Sequence, residues 1–251
     1  MNENRFTGKA EIYKKYRPKY PKELFDYLYS RVGFGQDKII ADIGSGTGIF
    51  SRLLLERGSK VFCVEPNEDM RKTAESDLSG FGNFISVNGN DKNTGLHEKS
   101  VDFITAAQAF HWFDRQAFKL ECRRILKDGG KVALIYNSRD DSSEMIRKLD
   151  IVKQKYYVDS QGFLQRGDPP EEYGDFFTDE ICEYKTFRND MKINKECFIG
   201  GNLSSSYAPR EETDPGKYHG FVKDLDELFV EYNTDGFLDS PWITKSYTGR
   251  V

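Results

Sequence analysis

The segment Asp42-Ile43-Gly44-Ser45-Gly46-Thr47-Gly48 constrains this chain more than any other. An apolar run, Lys38 to Ala41, leads into it, and a helical pattern, Ile49 to Glu56, leads out. A second apolar run, Lys60 to Val64, ends on Glu65-Pro66. Strand, glycine turn, helix, strand and acid is an arrangement that holds an adenosine-type ligand. The glycines let the ligand approach the backbone, and the acid takes the two ribose hydroxyls. Glu65 lies 21 residues after Gly44, close to the ~20 expected of a ribose acid. The competing reading is a tight strand-to-helix turn with no ligand. The glycine spacing narrows the choice. A dinucleotide fingerprint puts its third glycine three places after the second; here the gap is two, and Ile49 stands at the dinucleotide position. No Gly-Lys-Ser/Thr follows, so the turn is not a P-loop.

This D-x-G-x-G-x-G form resembles the first motif of class I S-adenosylmethionine (SAM)-dependent methyltransferases. Leu126-Lys127-Asp128-Gly129-Gly130 and Ser100-Val101-Asp102 are similar to later core motifs of that class. Two stretches are more specific: Gln108 to Asp114 (Gln-Ala-Phe-His-Trp-Phe-Asp) and Tyr16 to Pro21 (Tyr-Arg-Pro-Lys-Tyr-Pro). They resemble the trans-aconitate methyltransferase-like branch (methyltransferase type 11). Ser204 to Tyr207 and Thr244 to Arg250 also fit that branch, so the resemblance covers essentially the whole chain.

The resemblance implies SAM as cofactor and an α/β, Rossmann-like sheet of seven mostly parallel strands, with helices on both faces and a C-terminal inserted cap. Ser45 and the glycines Gly44, Gly46 and Gly48 would lie against the methionine part of SAM. Asp42 would accept from its ammonium, directly or through water, and Glu65 would bind the ribose diol. Pro66 and Met70 would wall the adenine, or else start a helix and fill the core. Asn90 and Asp91 would contact adenine; Lys92 departs from the acid many relatives carry. Ala107 and Gln108 would end the fourth strand near the sulfonium. Tyr16 and Arg17 belong to a segment that folds over the cofactor in the family, and Arg17 could pair with a carboxylate. Phe110 and Trp112 are candidates for an aromatic wall, whereas Phe113 reads as packing. His111 is the one candidate base, weighed against a structural histidine in an aromatic run.

Periodicity places strands at about 38–42, 60–64, 84–87, 101–105 and 131–136. Helices fall at 10–16, from Pro21 to near Gly33, and at 48–57, 68–77, 114–126, 143–158 and 217–232. Asn67 and Asp114 are the expected caps. Strands alternating with helices imply a parallel sheet. Residues 161–175 read as a loop, and 181–187 and 237–247 as strand-like segments; the resemblance would pair 181–187 with 241–247 as an antiparallel edge hairpin. The expected organisation is a SAM-binding core over 1–137, an inserted substrate cap over 138–235 that includes one edge strand, and a last strand over 236–251 returning to the core. The cap region is rich in aromatics (Tyr156, Tyr157, Phe163, Tyr173, Phe176, Phe177, Tyr207, Tyr218) with Arg139, Arg166 and Arg210 among them. Such a lining suits a small anionic acceptor.

Composition limits the alternatives. With 37 basic and 41 acidic residues the net charge is −4, which argues against a nucleic-acid surface. The basic cluster Lys14 to Tyr20 reads as a solvated face. Four cysteines without a C-x-x-C read as reduced thiols, and three histidines in no ligand spacing argue against a metal. No secretory or membrane-spanning segment is evident, which points to a cytoplasmic protein, monomer or homodimer. The reading is therefore a SAM-dependent methyltransferase acting on a small molecule. Methyl transfer to a carboxylate needs no base, and the lack of an evident base favours that acceptor. A nucleic-acid methyltransferase and a non-catalytic SAM-binding or partner-binding protein are the alternatives.

Overall fold

The computed structural model describes residues 19–157, 170–178, 181–205 and 207–251. The expected helix at 10–16, the candidates Tyr16 and Arg17, and the cap residues Phe163 and Arg166 lie outside the described residues.

Helix α1 (Lys22–Tyr27) follows Pro21, widens into a π-turn over Leu28–Val32, and stops at Gly33 in the left-handed region (φ 104°). The chain then alternates as its periodicity dictates: β1 (Ile39–Ile43), α2 (Ile49–Leu55), β2 (Lys60–Val64), α3 (Glu68–Leu78), β3 (Phe84–Val87), β4 (Val101–Ala107) and α4 (Arg115–Ile125). Asn67 and Asp114 cap α3 and α4, accepting from Met70 N (3.1 Å) and Ala117 N (3.2 Å). The fifth strand, β5 (Leu126–Arg139), is longer than its apolar run. Its pairing with β4 jumps from Val101–Leu126 to Phe103–Lys131, so the Asp128-Gly129-Gly130 turn is a bulge within the strand. There follow α5 (Glu144–Tyr156), a 3₁₀ segment (Pro170–Phe176), β6 (Cys182–Arg188), β7 (Met191–Asn194), α6 (Lys195–Leu203), α7 (Pro215–Tyr232), β8 (Phe237–Ser240) and β9 (Trp242–Gly249).

Among the described residues the main sheet has seven strands in the order β3-β2-β1-β4-β5-β9-β6. The first five are parallel. The last two are antiparallel, β9 pairing with both β5 and β6. This is the expected Rossmann-like sheet with its edge pair. From β1 the chain steps outward to β2 on one side and later to β4 on the other. The C-terminal ends of β1 and β4 thus form a topological switch point, where open α/β sheets bind ligands.

Two expectations are corrected. Residues 237–247 are not one strand. Pro241 has no N–H to continue a ladder, and the chain changes sheets there: β8 pairs with β7 in a separate two-stranded sheet, and β9 enters the main one. Nor is 161–175 loop throughout. Tyr173, Phe176 and Phe177 are almost fully buried and pack with Phe110, Phe118 and Tyr247 on one face of the main sheet. These three therefore fill the core and are not available as cap lining. They cover this face beside α4, whose Phe118, Cys122 and Ile125 belong to the same cluster.

The opposite face carries α1 and α2 with Leu24, Phe25, Leu28, Phe50 and Leu54. A third apolar cluster joins α5, α6, α7 and β8 through Ile146, Leu149, Phe198, Phe221, Leu225 and Leu238, and Trp112 packs against it. Among the described residues no helix is long and apolar enough to cross a membrane, and no acid, histidine and cysteine group could hold a metal.

Candidate functional site

The glycine turn sits at the switch point. Gly44, Gly46 and Gly48 all have positive φ (69°, 57° and 79°), a region that costs other L-residues roughly 1–2 kcal/mol. The three differ in what surrounds them. A Cβ on Gly44 would lie 2.7 Å from Ala109 Cβ, and one on Gly48 would lie 2.6 Å from Leu78 Cδ1. Those two glycines let β4's exit and α3 approach the turn. A Cβ on Gly46 would meet only Met70 Sδ, at 3.7 Å. Gly46 thus faces the open side, with buried Met70 as its wall. The turn is pinned by Gly44 N and Ser45 N, both donating to Val64 O (2.8 and 3.2 Å).

Glu65 is 7% exposed at the end of β2. Its Oε2 accepts from Gly46 N and its Oε1 from Asn67 N, both at 2.9 Å. Arg71, which the sequence reading passed over, donates to the carbonyls of Glu65 (3.0 Å) and Pro66 (3.3 Å). The ribose-acid candidate is therefore held against the turn before any ligand arrives. Ser45 Oγ and Thr47 Oγ1 are buried and have no hydrogen-bond partner among the described residues. A buried hydroxyl without a partner costs free energy, and a ligand seated on the turn would satisfy both. SAM fits these residues: a backbone open at Gly46, two waiting hydroxyls, and a carboxylate that can accept from a diol.

Asp42 departs from its expected role. It is fully buried, with Oδ2 accepting from Ser51 Oγ (2.6 Å) and Oδ1 from Thr105 Oγ1 (2.7 Å). The carboxyl ties β1, α2 and β4 together beneath the turn. Burial pushes its pKa up to about 6, against the two hydroxyls, which lower it; the Glu65 charge adds to the rise. The consequence for stability follows in sign. In the unfolded chain Asp42 ionises near its ordinary value of 3.8. The folded state binds the proton more tightly, so stability falls as pH rises from about 4 to 6. At neutral pH the ionised group costs roughly 3 kcal/mol at ~1.36 kcal/mol per pH unit. Asp42→Asn should therefore raise stability at pH 7–8 by up to roughly that amount. Its urea midpoint should exceed the wild type's by a margin that grows between pH 4 and 6 and then stays level. A margin independent of pH would show that Asp42 does not titrate there.

Asn90 and Asp91 are half-buried in the loop after β3. Asn90 Oδ1 accepts from Lys92 N and Asn93 N, and Asp91 Oδ2 accepts from Asp114 N (2.9 Å). Lys92 Nζ lies 3.0 Å from Asp114 Oδ2. Ala107 ends β4, and Gln108 has φ 57°. A left-handed glutamine is unusual and marks strain that its surroundings must hold. Gln108 N donates to Ile135 O (2.8 Å), and its Nε2 to Asn137 O (2.9 Å). Asn137 in turn accepts from Thr244 Oγ1 (2.6 Å), and both Asn137 and Asn189 donate to Lys19 O (3.4 and 2.7 Å). The chain at Lys19 is thereby tied to the C-terminal ends of β5 and β6, beside the start of β9. Neither Asn137 nor Asn189 carries a sequence signal; only the strand register brings them together.

The aromatic run divides its work. Phe110 is completely buried, and Phe113 packs against the core beside Gly44. Trp112 leans on the cap cluster. The His111 ring lies between aromatics, 4.7 Å from Trp112 and 6.0 Å from Tyr136, centroid to centroid.

The fold is that of the class I methyltransferases. A candidate type II methyltransferase from Anaeromyxobacter dehalogenans superposes with a TM-score of 0.66 at 23% identity, covering 93% of this chain and 97% of that one. A SAM-dependent methyltransferase from Aquifex aeolicus gives 0.52 at 18%, covering 70% and 89%. Residues 41–134 match a family described as a methyltransferase domain. In sequence, the chain is 29% identical over 161 residues to an uncharacterized methyltransferase-like protein of Schizosaccharomyces pombe, covering 63% of this chain and 62% of the relative. It is 32% identical over 144 residues to an uncharacterized methyltransferase of Mycobacterium tuberculosis, covering 57% and 56%. The matched stretch thus spans less than two thirds of either relative. The matched residues include Asp42, the three glycines, Glu65, Met70, Asn90, Asp91, Gln108 and His111, and end within β5.

Proposed function

We propose that this chain is a SAM-dependent methyltransferase acting on a small molecule, with a carboxylate as acceptor. The observation that carries the cofactor assignment is the glycine turn with its satellites: Gly46 open, Ser45 and Thr47 hydroxyls buried without partners, and Glu65 bonded to Gly46 N. When bound, SAM supplies a methyl group on an already activated sulfonium. Glu65 would hold the ribose diol, Met70 and Pro66 would flank the adenine, and Asn90 and Asp91 would reach its edge. Ser45 and the glycines would take the methionine part. Asp42 would act from beneath, holding the turn in shape and offering negative charge to a cationic ligand without touching it. Gln108 and Asn137 would set the strand ends where acceptor and cofactor meet, so that alignment carries the rate. Tyr16 and Arg17 remain candidates for closing over the site.

The carboxylate assignment rests on chemistry. A carboxylate is ionised at neutral pH and needs no base, and the His111 ring packs beside Trp112 and Tyr136. The motifs shared with the trans-aconitate methyltransferase-like branch favour the same class. Residues 138–235 would supply the cap that chooses the acceptor. The net charge of −4 speaks against nucleic acid, and the buried thiols Cys63 and Cys122 suit a reducing cytoplasm.

Calorimetry is expected to find one site per chain for S-adenosylhomocysteine (SAH), with NAD far weaker. Release of SAH from SAM is then to be measured with panels of small acids, amines and phenols, and turnover is expected with the acids. A folded protein that binds neither SAM nor SAH would end the methyltransferase reading; turnover with amines alone would end the carboxylate one.

A further inference from the structure

Strand β6 ends the main sheet on one side: among the described residues its one partner strand is β9. The β6–β9 register runs from Cys182 to Arg188 without a break, and no proline interrupts β6. Sheets commonly blunt such an edge with proline, a bulge or a covering element. Here Glu183, Tyr184, Lys185 and Thr186 are all exposed. The strand is nonetheless firmly seated. The Tyr184 ring lies 4.9 Å from Tyr247 on one face, and the Phe187 ring 5.7 Å from Tyr27 on the other.

The phase of the free edge follows from the ladder. Asn189 N donates to Trp242 O (2.9 Å), which continues the β6–β9 register by one residue. Hydrogen-bonded residues alternate along an antiparallel pair. The odd-numbered residues of β6 therefore bond β9, and Cys182, Tyr184 and Thr186 turn their N–H and C=O groups to the free edge.

Around Tyr184 the side chains form a chemical palindrome: Ile181, Cys182, Glu183, Tyr184, Lys185, Thr186, Phe187. Laid antiparallel on a second copy with Tyr184 opposite Tyr184, Glu183 faces Lys185, Cys182 faces Thr186, and Ile181, 71% exposed, faces Phe187. The free backbone groups of Cys182, Tyr184 and Thr186 then meet one another. Both Glu–Lys pairs fall at non-hydrogen-bonded positions, where side chains across a pair come closest. The neighbouring registers that keep this phase centre on Glu183 or on Lys185 and set like charges opposite, which is unfavourable. Within one chain Lys185 Nζ is 3.8 Å from Glu183 Oε1 with both side chains half exposed. A pair so placed is weak, so both charges are available to a partner.

We infer that β6 is the contact between two copies of this chain, joined about a two-fold axis at Tyr184 into one continuous sheet. Each copy uses its edge in the contact, so assembly stops at two. Strands β4, β5 and β9 separate β6 from β1, so the contact leaves both glycine turns clear. An edge pair is small beside the roughly 20–30 residues a side of a standard interface, and micromolar association is expected.

The test is sedimentation velocity of the purified chain under a thiol reductant, from micromolar to several hundred micromolar. Wild type is expected to pass from monomer to dimer, less readily as salt is raised. Lys185→Glu and Glu183→Lys should each weaken dimerisation by about tenfold or more, because two attractive pairs become repulsive. An equimolar mixture of these variants should dimerise, since every acid then faces a base of the other chain. The double variant E183K/K185E should dimerise by itself, and it keeps the test readable if a single variant misfolds. Both positions are half exposed, so urea midpoints should stay near that of wild type, and SAH affinity should change less than twofold. A wild type that stays monomeric throughout would overturn the inference. So would a dimer that both single variants leave intact, a mixture that stays monomeric, or assemblies larger than two.

Discussion

Gly44→Ala is expected to lower folding stability by about 2–5 kcal/mol, the sum of left-handed strain of ~1–2 and overpacking of ~1–3 kcal/mol. The strain follows from φ 69°, and the overpacking from Ala109 Cβ, 2.7 Å from the new methyl, with the Phe113 ring at 3.2 Å. Ala109 cannot swing aside, because its Cβ is fixed to the backbone. Gly46→Ala, at φ 57°, should cost only the strain of ~1–2 kcal/mol, since Met70 Sδ at 3.7 Å is an ordinary contact. The order should reverse for ligand. Gly46→Ala leaves a folded protein with SAH affinity reduced tenfold or more, because the methyl occupies the open side of the turn. Urea denaturation and SAH titration of both variants decide this. Equal destabilisation by the two would mean that packing at Gly44 is looser than its contacts imply.

Glu65→Gln should reduce SAH affinity by tenfold or more and cost the fold about 1–3 kcal/mol, for the one backbone N–H that loses its acceptor. Charge-assisted hydrogen bonds are worth ~1.5–3 kcal/mol, and about 1.4 kcal/mol is a factor of ten. Glutamine keeps the shape but has one acceptor oxygen where the carboxylate now serves both Gly46 N and Asn67 N. Glu65→Ala is a different experiment. It leaves both N–H groups without their acceptor in a site that is 7% exposed, so it should weaken the fold as well as the ligand, by about 1–3 kcal/mol for each group left unsatisfied. A strand-end acid whose hydrogen bonds went to the ribose alone would, on truncation to alanine, lose mainly ligand affinity. If Glu65→Gln binds SAH as the wild type does, the ribose contact belongs to another residue.

Much of the core was legible before the structure. The strands over 60–64 and 84–87, the caps Asn67 and Asp114, and the glycine turn are local signals: hydrophobic period, cap chemistry and positive-φ residues act over a few neighbours. Sequence spacing also put Glu65 at the end of the strand beside the turn. What sequence could not supply were meetings across long separations. Asp42 reads as a ligand-facing acid until Ser51 and Thr105 are seen to enclose it. Gln108 does not look strained until Asn137 is placed beside it by the β4–β5 register. Pro241 divides a continuous-looking strand between two sheets. Tyr173, Phe176 and Phe177 look like cap lining until the sheet face they cover is known. Sequence by itself determined the parallel α/β core and the positive-φ glycine turn at its switch point, because those follow from local backbone chemistry. Only tertiary structure decided which charged groups are buried and what they touch, because burial depends on partners that folding brings from a hundred residues away.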